Sequence, residues 1–257
     1  MVIILGLGFT GQRLARRLLR EGIQTYAAAR NAGRFRDLAD AGLLLSELKL
    51  DSPGVPALPK RAILVHLIPP LTAPENAGLR AIVQELDPRR VVYVSSTGVY
   101  GDQVDVDAKT PVQPNDERGR RRLDEERWVS QWPSLILRAA AIYGPDRGVH
   151  AAIREGKMPR SAGSGIVSRI HVEDLAAIVQ AGIFSDIEGA WPVADDAPCS
   201  SAEIAAWCSM LLKREEIQPI VNGPTIAGRR VDGTEIRAKL GIELVYPSWR
   251  TGVPASL

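Results

Sequence analysis

The first eleven residues, MVIILGLGFTG, limit what this chain can fold into more than any other stretch. Residues 1–5 are apolar without interruption, a pattern typical of a buried strand at the centre of a parallel sheet. The strand breaks at once into Gly6-x-Gly8-x-x-Gly11, and a helical pattern begins near Thr10. This glycine spacing alone is a weak signal, because an ordinary strand–turn–helix unit can carry it. Here, however, both the strand and an amphipathic helix are present.

Each glycine of this motif has a steric reason. Gly6 permits a tight turn, Gly8 lets a pyrophosphate approach bare backbone, and Gly11 lets the helix pack close to the strand. The start of the helix then offers unpaired N–H groups and the positive end of its dipole to the phosphates. We therefore predict a dinucleotide site built by Gly6, Gly8, Phe9, Thr10 and Gly11.

The bulk composition excludes several classes of protein. The chain has 257 residues, of which 45% are hydrophobic and 24% charged, as is typical of a soluble globular protein with a sizeable core. A net charge of +2 implies no nucleic-acid partner. Two cysteines and three widely separated histidines indicate neither a disulfide framework nor a metal site. Because we find no signal peptide and no apolar stretch of membrane-spanning length, we predict a cytoplasmic protein without membrane contact.

Predicted strands and helices alternate along the first part of the chain. Strands are predicted at residues 1–5, 23–29, 43–48, 62–68 and 91–95, with helices after the first, second and fourth of them. This alternation is typical of an α/β fold with a doubly wound parallel sheet. We predict a dinucleotide-binding domain over residues 1–145, to which residues 170–195 return. The remaining residues, 146–169 and 196–257, are predicted to form a small substrate-binding lobe.

The end of the second predicted strand bears on the choice of cofactor. In a sheet of this kind an acidic residue at that point binds the ribose 2′-hydroxyl of NAD, whereas an arginine accommodates the 2′-phosphate of NADP. The strand ends in Arg30, and Arg34 and Arg36 follow closely. We therefore predict NADP(H) rather than NAD(H) as the cofactor. The alternative is that these arginines form the solvated face of the next helix.

The fifth predicted strand continues into VYVSSTGVYGD at residues 92–102. This segment resembles the extended short-chain dehydrogenases/reductases of the NAD-dependent epimerase/dehydratase type. Further similar stretches lie at residues 66–70, 137–145, 169–176 and 191–195, and residues 240–241 and 246–250 resemble an atypical bacterial branch. The resemblance implies a Rossmann fold and NAD(P)-dependent oxidoreductase or epimerase-like chemistry on a small hydroxyl or carbonyl compound. It also suggests a homodimer that pairs through the helices after the fourth and fifth strands.

The resemblance also assigns roles to single residues. In this family the serine before the x-x-V-Y-G turn is catalytic, and that position is Ser96, whose hydroxyl would hydrogen-bond a substrate oxygen. The alternative is that the hydroxyls of this segment only satisfy backbone groups in a turn. We also assign to the cofactor site Ser95, His66, and Asp51 at the end of the third predicted strand.

One expected pair of residues is incomplete. The family carries Tyr-x-x-x-Lys on the next helix, where the tyrosine exchanges a proton and the lysine holds the nicotinamide ribose. Aligning the family's following glutamate with Glu126 places Arg122 at the lysine position and Arg118 at the tyrosine position. Arg122 can still bind ribose hydroxyls, but an arginine does not exchange protons near neutral pH. The arginines of residues 118–122 either form a solvated helix start or bind a phosphate or an acidic substrate.

Three hypotheses remain for a family member without this tyrosine. Another group supplies the proton, with Tyr100, Tyr143 and His171 as candidates. Alternatively, water assists a substrate that needs little acid catalysis. In the third hypothesis the protein is a redox sensor or regulator that binds NADP(H) without turnover.

Overall fold

The computed structural model describes residues 1–50, 58–157, 165–213 and 228–257. Its strands, in chain order, are β1 (Val2–Leu5), β2 (Thr25–Ala29), β3 (Leu44–Glu47), β4 (Ile63–His66), β5 (Arg90–Ser96), β6 (Asp105–Val106), β7 (Ser134–Ala139), β8 (Ala141–Tyr143), β9 (Ile166–Val167), β10 (Arg169–His171), β11 (Gly189–Val193), β12 (Cys199–Ser200) and β13 (Arg230–Val231). The α-helices are α1 (Phe9–Arg20), α2 (Arg36–Asp40), α3 (Ala73–Leu86), α4 (Glu117–Val129), α5 (Val149–Arg154), α6 (Val172–Ile183), α7 (Ser201–Leu211), α8 (Thr234–Leu240) and α9 (Trp249–Gly252). Short 3₁₀ turns lie at Ala32–Phe35, Thr97–Tyr100 and Pro254–Ser256.

Seven strands form one sheet in the order β11-β7-β5-β4-β1-β2-β3, and each neighbouring pair is parallel. The chain runs outward from β1 in both directions, so the strand order reverses between β1 and β4. Ligands of such sheets bind beyond the carboxyl ends of the strands at this reversal. Gly6, which follows β1, lies there against Leu67 and Ile68, which follow β4. The prediction of an α/β fold with a doubly wound parallel sheet is confirmed.

Two apolar cores cover the two faces of the sheet. On one face, α1 and α6 bury Leu14, Leu18 and Ile178 against the strands. On the other face, α3 and the end of α4 contribute Leu79 and Val129. Because both faces are covered, the central strands are apolar on both sides, which explains the unbroken run in β1.

Helix boundaries follow local capping chemistry. Thr72 and Glu75 form a reciprocal capping box at the start of α3, which is the helix predicted after the fourth strand. The N–H of Ile23 bonds back to the carbonyl of Leu18 at the end of α1. Ile23 therefore completes the helix terminus, and β2 begins two residues later than predicted, at Thr25.

The later part of the chain covers the carboxyl-terminal edge of the sheet. A separate apolar cluster joins α5 to α7 and to Trp249. Helix α8 instead packs on β11 and α6 of the main sheet, through Ile236. Residues 234–240 therefore contact the dinucleotide-binding part, although the sequence placed them in the substrate-binding lobe.

None of the helices in the described residues is both long enough and apolar enough to cross a membrane.

Candidate active site

The glycine turn after β1 has three glycines with different surroundings. Gly6 has a φ of +100°, which disfavours any residue with a side chain. A Cβ on Gly11 would lie 2.1 Å from the Gly6 carbonyl oxygen, so helix and turn touch here. Gly8 is exposed at a φ of −77°, and a Cβ there would meet no atom within 4 Å. The packing of the protein therefore requires glycine at positions 6 and 11 but not at position 8.

The next residues of the motif form the wall of this turn. The Phe9 ring lies between two guanidiniums, with Arg13 Cζ at 4.2 Å and Arg147 Cζ at 5.2 Å from the ring centroid. Arg13 also pairs with Glu173, whereas Thr10 is buried in the first turn of α1. Because Arg147 follows β8, this contact joins the glycine turn to the later part of the chain.

The arginine that bears on the choice of cofactor stands at the end of β2. The Arg30 side chain is 76% exposed, and the ion pair it makes among the described residues, with Glu75, is 4.0 Å long. Its guanidinium is therefore weakly held and can reorient toward a ligand. Arg34 and Arg36 are exposed in the turn that follows. Asp51 lies outside the described residues.

The two serines at the end of β5 differ in their surroundings. The Ser95 hydroxyl is buried and donates to the Glu126 carboxylate at 2.6 Å. The Ser96 hydroxyl is half-buried and accepts from the Gly98 N–H at 3.2 Å. Within the described residues no acceptor takes the Ser96 proton, so this hydroxyl can donate to a ligand. Ser95 is engaged inside the protein, and its place in the cofactor site stays a prediction.

A buried charge network lies directly behind these serines. The Glu126 carboxylate accepts from Arg138 Nη2 at 2.8 Å and from Arg138 Nε at 3.2 Å. The same guanidinium donates to the Tyr100 hydroxyl at 3.2 Å. Glu126 thus links Ser95 on β5 with Arg138 on β7 and fixes the position of α4 over both strands.

Arg122 reaches the carboxyl end of β5 from α4. Its Nη1 donates to the Tyr93 hydroxyl at 2.9 Å and to the Val94 carbonyl at 3.3 Å. Burial raises the pKa of Tyr93 to about 12, so that phenol stays protonated. The buried Nε of Arg122 has no partner among the described residues. Arg122 therefore contacts β5 two residues before Ser96, and its role in holding the nicotinamide ribose stays a prediction.

Arg118 takes the place expected of the family tyrosine, on the first turn of α4. It is exposed and makes no ion pair within the described part of the chain. Partial burial and the nearby charge of Arg118 both lower the pKa of Arg147. An anion bound near Arg147 would offset this repulsion between like charges.

His66, the last residue of β4, is buried in a network of its own. Its Nδ1 accepts from the Ile68 N–H at 3.3 Å, so Nε2 carries the proton toward Glu125, 3.2 Å away. Burial favours a raised pKa for Glu125, but the contacts with His66 and Arg80 outweigh it and lower the pKa. His66 thus joins β4 to α4, and its contact with a cofactor stays a prediction.

The three candidate proton donors are engaged in internal contacts. Burial raises the pKa values of Tyr100 and Tyr143, and the Tyr143 hydroxyl lies 3.4 Å from the Ser248 carbonyl. Burial lowers the pKa of His171 to about 4, and its Nε2 lies 3.1 Å from the Ser256 hydroxyl. Each pKa moves away from neutrality, which weighs against all three as acid–base groups.

Comparison with known proteins identifies the family. The chain is 30% identical to Protein YeeZ of Escherichia coli K12 over 267 residues, covering 96% of each chain. It superposes on a functionally unknown protein of Silicibacter pomeroyi with a TM-score of 0.82 at 28% identity, over 99% of this chain and 97% of that one. It also superposes on a Methylobacillus flagellatus protein described as an NAD-dependent epimerase/dehydratase, with a TM-score of 0.78 at 26% identity. This superposition covers 99% of this chain and 96% of that one. The chain belongs to the NAD-dependent epimerase/dehydratase family of extended short-chain dehydrogenases/reductases.

More distant similarities agree with this family. A Streptomyces 3-diazoavenalumate denitrifying reductase is 27% identical over 167 residues, which are 58% of this chain and 55% of that protein. The UDP-glucose 4-epimerase of Thermus thermophilus, solved with NAD, has the same fold with a TM-score of 0.80 at 16% identity, over 100% and 97% of the two chains. No protein-family model matches the chain.

One arginine that contacts the loop after Ser96 has no counterpart in the sequence prediction. Arg229 donates from Nε to the Gln103 carbonyl at 3.0 Å, from Nη1 to the Thr97 carbonyl at 2.5 Å, and from Nη2 to the Gly101 carbonyl. It therefore clamps the loop that follows Ser96. These carbonyls lie 126 to 132 residues before Arg229 in the chain, so no local sequence pattern could have revealed the contacts.

A buried carboxyl after β11 gives this family member a pH-dependent stability. Asp195 Oδ1 accepts from the Ala197 N–H at 3.2 Å, whereas buried Oδ2 has no partner among the described residues. Burial raises the pKa of Asp195 from 3.8 to about 7. The folded state therefore binds more protons than the unfolded state between these values, and stability falls as pH rises through this window.

We expect Asp195→Asn to remove this loss of folding stability at higher pH. The variant should gain stability relative to the parent between pH 5 and pH 8, by on the order of 2 kcal/mol. Urea unfolding at several pH values measures the difference, with Asp105→Asn, a change at a 78% exposed side chain, as the control. A difference that does not change with pH would contradict the expected titration of Asp195.

Proposed function

We propose that this protein is an NADP(H)-dependent oxidoreductase that acts on a small hydroxyl or carbonyl compound. The nucleotide would bind beyond the carboxyl ends of β1 and β4, with its diphosphate against the start of α1. Gly8 is the observation that carries the proposal. The protein's own packing accounts for Gly6 and Gly11 but not for Gly8. A ligand that approaches the backbone at this exposed position would account for Gly8, and a dinucleotide diphosphate does so in folds of this type.

The residues around the turn suit this cofactor. The N–H groups at the start of α1 would receive the diphosphate, and Arg122 lies at the end of β5, where it would contact ribose hydroxyls. A bound nicotinamide would supply or accept a hydride. The Ser96 hydroxyl, with its proton free among the described residues, would donate to the substrate oxygen and orient it.

The comparisons support the reaction class in outline. A relative matched over about half its length is named a reductase, and distant proteins of the same fold were solved with NAD. Isothermal titration calorimetry of the full chain with NADH and with NADPH tests the proposal directly, because it measures the affinity for each nucleotide. Saturable binding of either nucleotide is expected. If neither binds, the proposal is wrong.

The preference for NADP(H) rests on Arg30. We expect Arg30→Gln to weaken NADPH binding by about tenfold to a hundredfold, because an arginine–phosphate hydrogen bond contributes roughly 1.5–3 kcal/mol. NADH lacks the 2′-phosphate, so its affinity should change by less than about twofold. Calorimetric titration of both nucleotides measures the two effects.

Arg89→Gln is the matched control for this test. It makes the same change of charge at an exposed position beside the amino end of β5, on the opposite edge of the sheet. Equal losses for NADPH and NADH in Arg30→Gln would mean that Arg30 does not recognise the 2′-phosphate. Tighter binding of NADH than of NADPH by the parent protein would refute the NADP assignment.

A second candidate function is a sensor that binds NADP(H) without chemistry. Arg118 at the position of the family tyrosine favours it, because losing a positioned acid–base group costs roughly 10²–10⁴ in rate. The two functions are separated by following the absorbance of bound NADPH during incubation with a panel of aldehydes and ketones. Oxidation by any member of the panel supports the enzyme, and saturable binding without oxidation by any of them supports the sensor.

A further inference from the structure

A cavity lies between β8, α5 and α7. Its volume is about 240 Å³, smaller than the roughly 300–1,000 Å³ of pockets that hold drug-sized ligands. Apolar side chains form much of its wall, among them Ile142, Val149 and Ile204. His150, Gly148 and Arg169 also line it. The surrounding protein leaves a hydrogen-bond acceptor on His150 and the charge of Arg169 without a close partner among the described residues.

The first incomplete feature is a hydrogen-bond acceptor on His150. The residue is 1% exposed, and its Nε2 lies 3.1 Å from the Gly144 carbonyl. A carbonyl only accepts, so Nε2 carries the proton and Nδ1 of the neutral ring holds a lone pair. Burial lowers the pKa of His150, which keeps the ring neutral near pH 7. Nδ1 is buried and has no partner among the described residues.

Gly148 lies beside this acceptor in the wall of the cavity. A Cβ at this position would lie 3.2 Å from His150 Nδ1 and 3.1 Å from Cε1. Only backbone therefore stands beside the Nδ1 edge of the ring at this position. A buried acceptor without a partner costs roughly 1–3 kcal/mol, so a donor from a ligand would be stabilising there.

The second incomplete feature is the charge of Arg169. This side chain is 5% exposed, and its Nη1 donates to the carbonyls of Val167 and Cys199 at 2.8 and 3.3 Å. No carboxylate in the described residues lies within 4 Å of it to form an ion pair. The carboxyl of Asp195 interacts with it only from beyond that distance, and burial raises the pKa of Asp195 to about 7. A buried cation without a close counter-charge favours an anionic ligand group.

We propose that this cavity binds a small hydroxy acid with an apolar body, whose hydroxyl donates to His150 Nδ1 and whose carboxylate pairs with Arg169. The apolar body would contact Ile142, Val149 and Ile204. None of the residues proposed to contact this acid belongs to the glycine turn, so its binding is measured without the nucleotide.

Three probes of similar size test the two polar contacts separately. Mandelate carries a hydroxyl, a carboxylate and an apolar ring, phenylacetate lacks the hydroxyl, and benzyl alcohol lacks the carboxylate. Calorimetry on the full chain without nucleotide should show saturable mandelate binding, with each of the other two weaker by about tenfold. Equal affinities for mandelate and phenylacetate would mean that water satisfies Nδ1. That result, or no binding of mandelate up to about 10 mM, would overturn the proposal.

Two variants connect the binding to this cavity. His150→Phe should lower the affinity for mandelate by about tenfold and leave the affinity for phenylacetate unchanged, because only mandelate has a donor for Nδ1. Ala152→Leu fills the cavity from α5 and should weaken both probes, whereas Ala206→Leu, an exposed change on α7, should weaken neither. Thermal unfolding checks that each variant is folded. Mandelate binding that survives Ala152→Leu, or an equal effect of His150→Phe on both probes, would place the ligand elsewhere.

Discussion

Replacement of Glu126 by alanine is expected to lower the free energy of unfolding by about 3–5 kcal/mol. The Glu126 carboxylate is 4% exposed, binds Arg138 through two nitrogens and accepts from Ser95. Removing it leaves the Arg138 guanidinium as a buried charge without a carboxylate partner. Urea unfolding at neutral pH measures the loss.

The matched control for this prediction is Asp124→Ala on the same helix. Asp124 pairs with Arg127 at 3.3 Å, but both side chains are exposed, so the expected loss is within about 1 kcal/mol. A loss of similar size in both variants would mean that the buried Glu126–Arg138 pair contributes no more to stability than the exposed Asp124–Arg127 pair. A loss below about 1 kcal/mol for Glu126→Ala would mean that the buried pair does not hold α4 on the sheet.

The second large effect concerns Gly8. We expect Gly8→Val to weaken binding of the nicotinamide nucleotide by about a hundredfold or more, because a side chain there would displace the diphosphate from the backbone N–H groups. Losing about two charge-assisted hydrogen bonds, each roughly 1.5–3 kcal/mol, gives at least this factor. Stability should fall by no more than about 1 kcal/mol, since the new side chain meets no atom within 4 Å at its Cβ.

Gly11→Ala separates the roles of the two glycines. Its Cβ would lie 2.1 Å from the Gly6 carbonyl oxygen, so this smaller substitution should destabilise the fold itself. Calorimetric titration with the nucleotide and urea unfolding are measured on both variants. If Gly8→Val binds the nucleotide as the parent does, the diphosphate does not contact this turn.

Elements with strong local signals were predictable from the sequence. The strand before Gly6 and the helix α3 follow from an unbroken apolar run and from a capping box at Thr72 and Glu75, both of which are local patterns. The parallel order of the sheet follows from the alternation of such elements, because crossover connections leave few alternatives.

The surroundings of the predicted site residues could not be read in this way. The partner of Ser95 is 31 residues away and the partner of His66 is 59 residues away, so their engagement appears only in the folded chain. The sequence places both residues at strand ends, where ligands bind, but it does not say whether the side chain faces the crevice or the adjacent helix. The cavity beside His150 likewise needs β8, α5 and α7 together.

The clamp formed by Arg229 has a consequence for how the protein can be divided. A fragment that ends at Val193 would contain all seven strands of the sheet and the whole glycine turn. It would still lack the guanidinium that holds the carbonyls of Thr97, Gly101 and Gln103. The serine end of the crevice is therefore completed by the last tenth or so of the polypeptide, and shortening the protein from that terminus would release this loop.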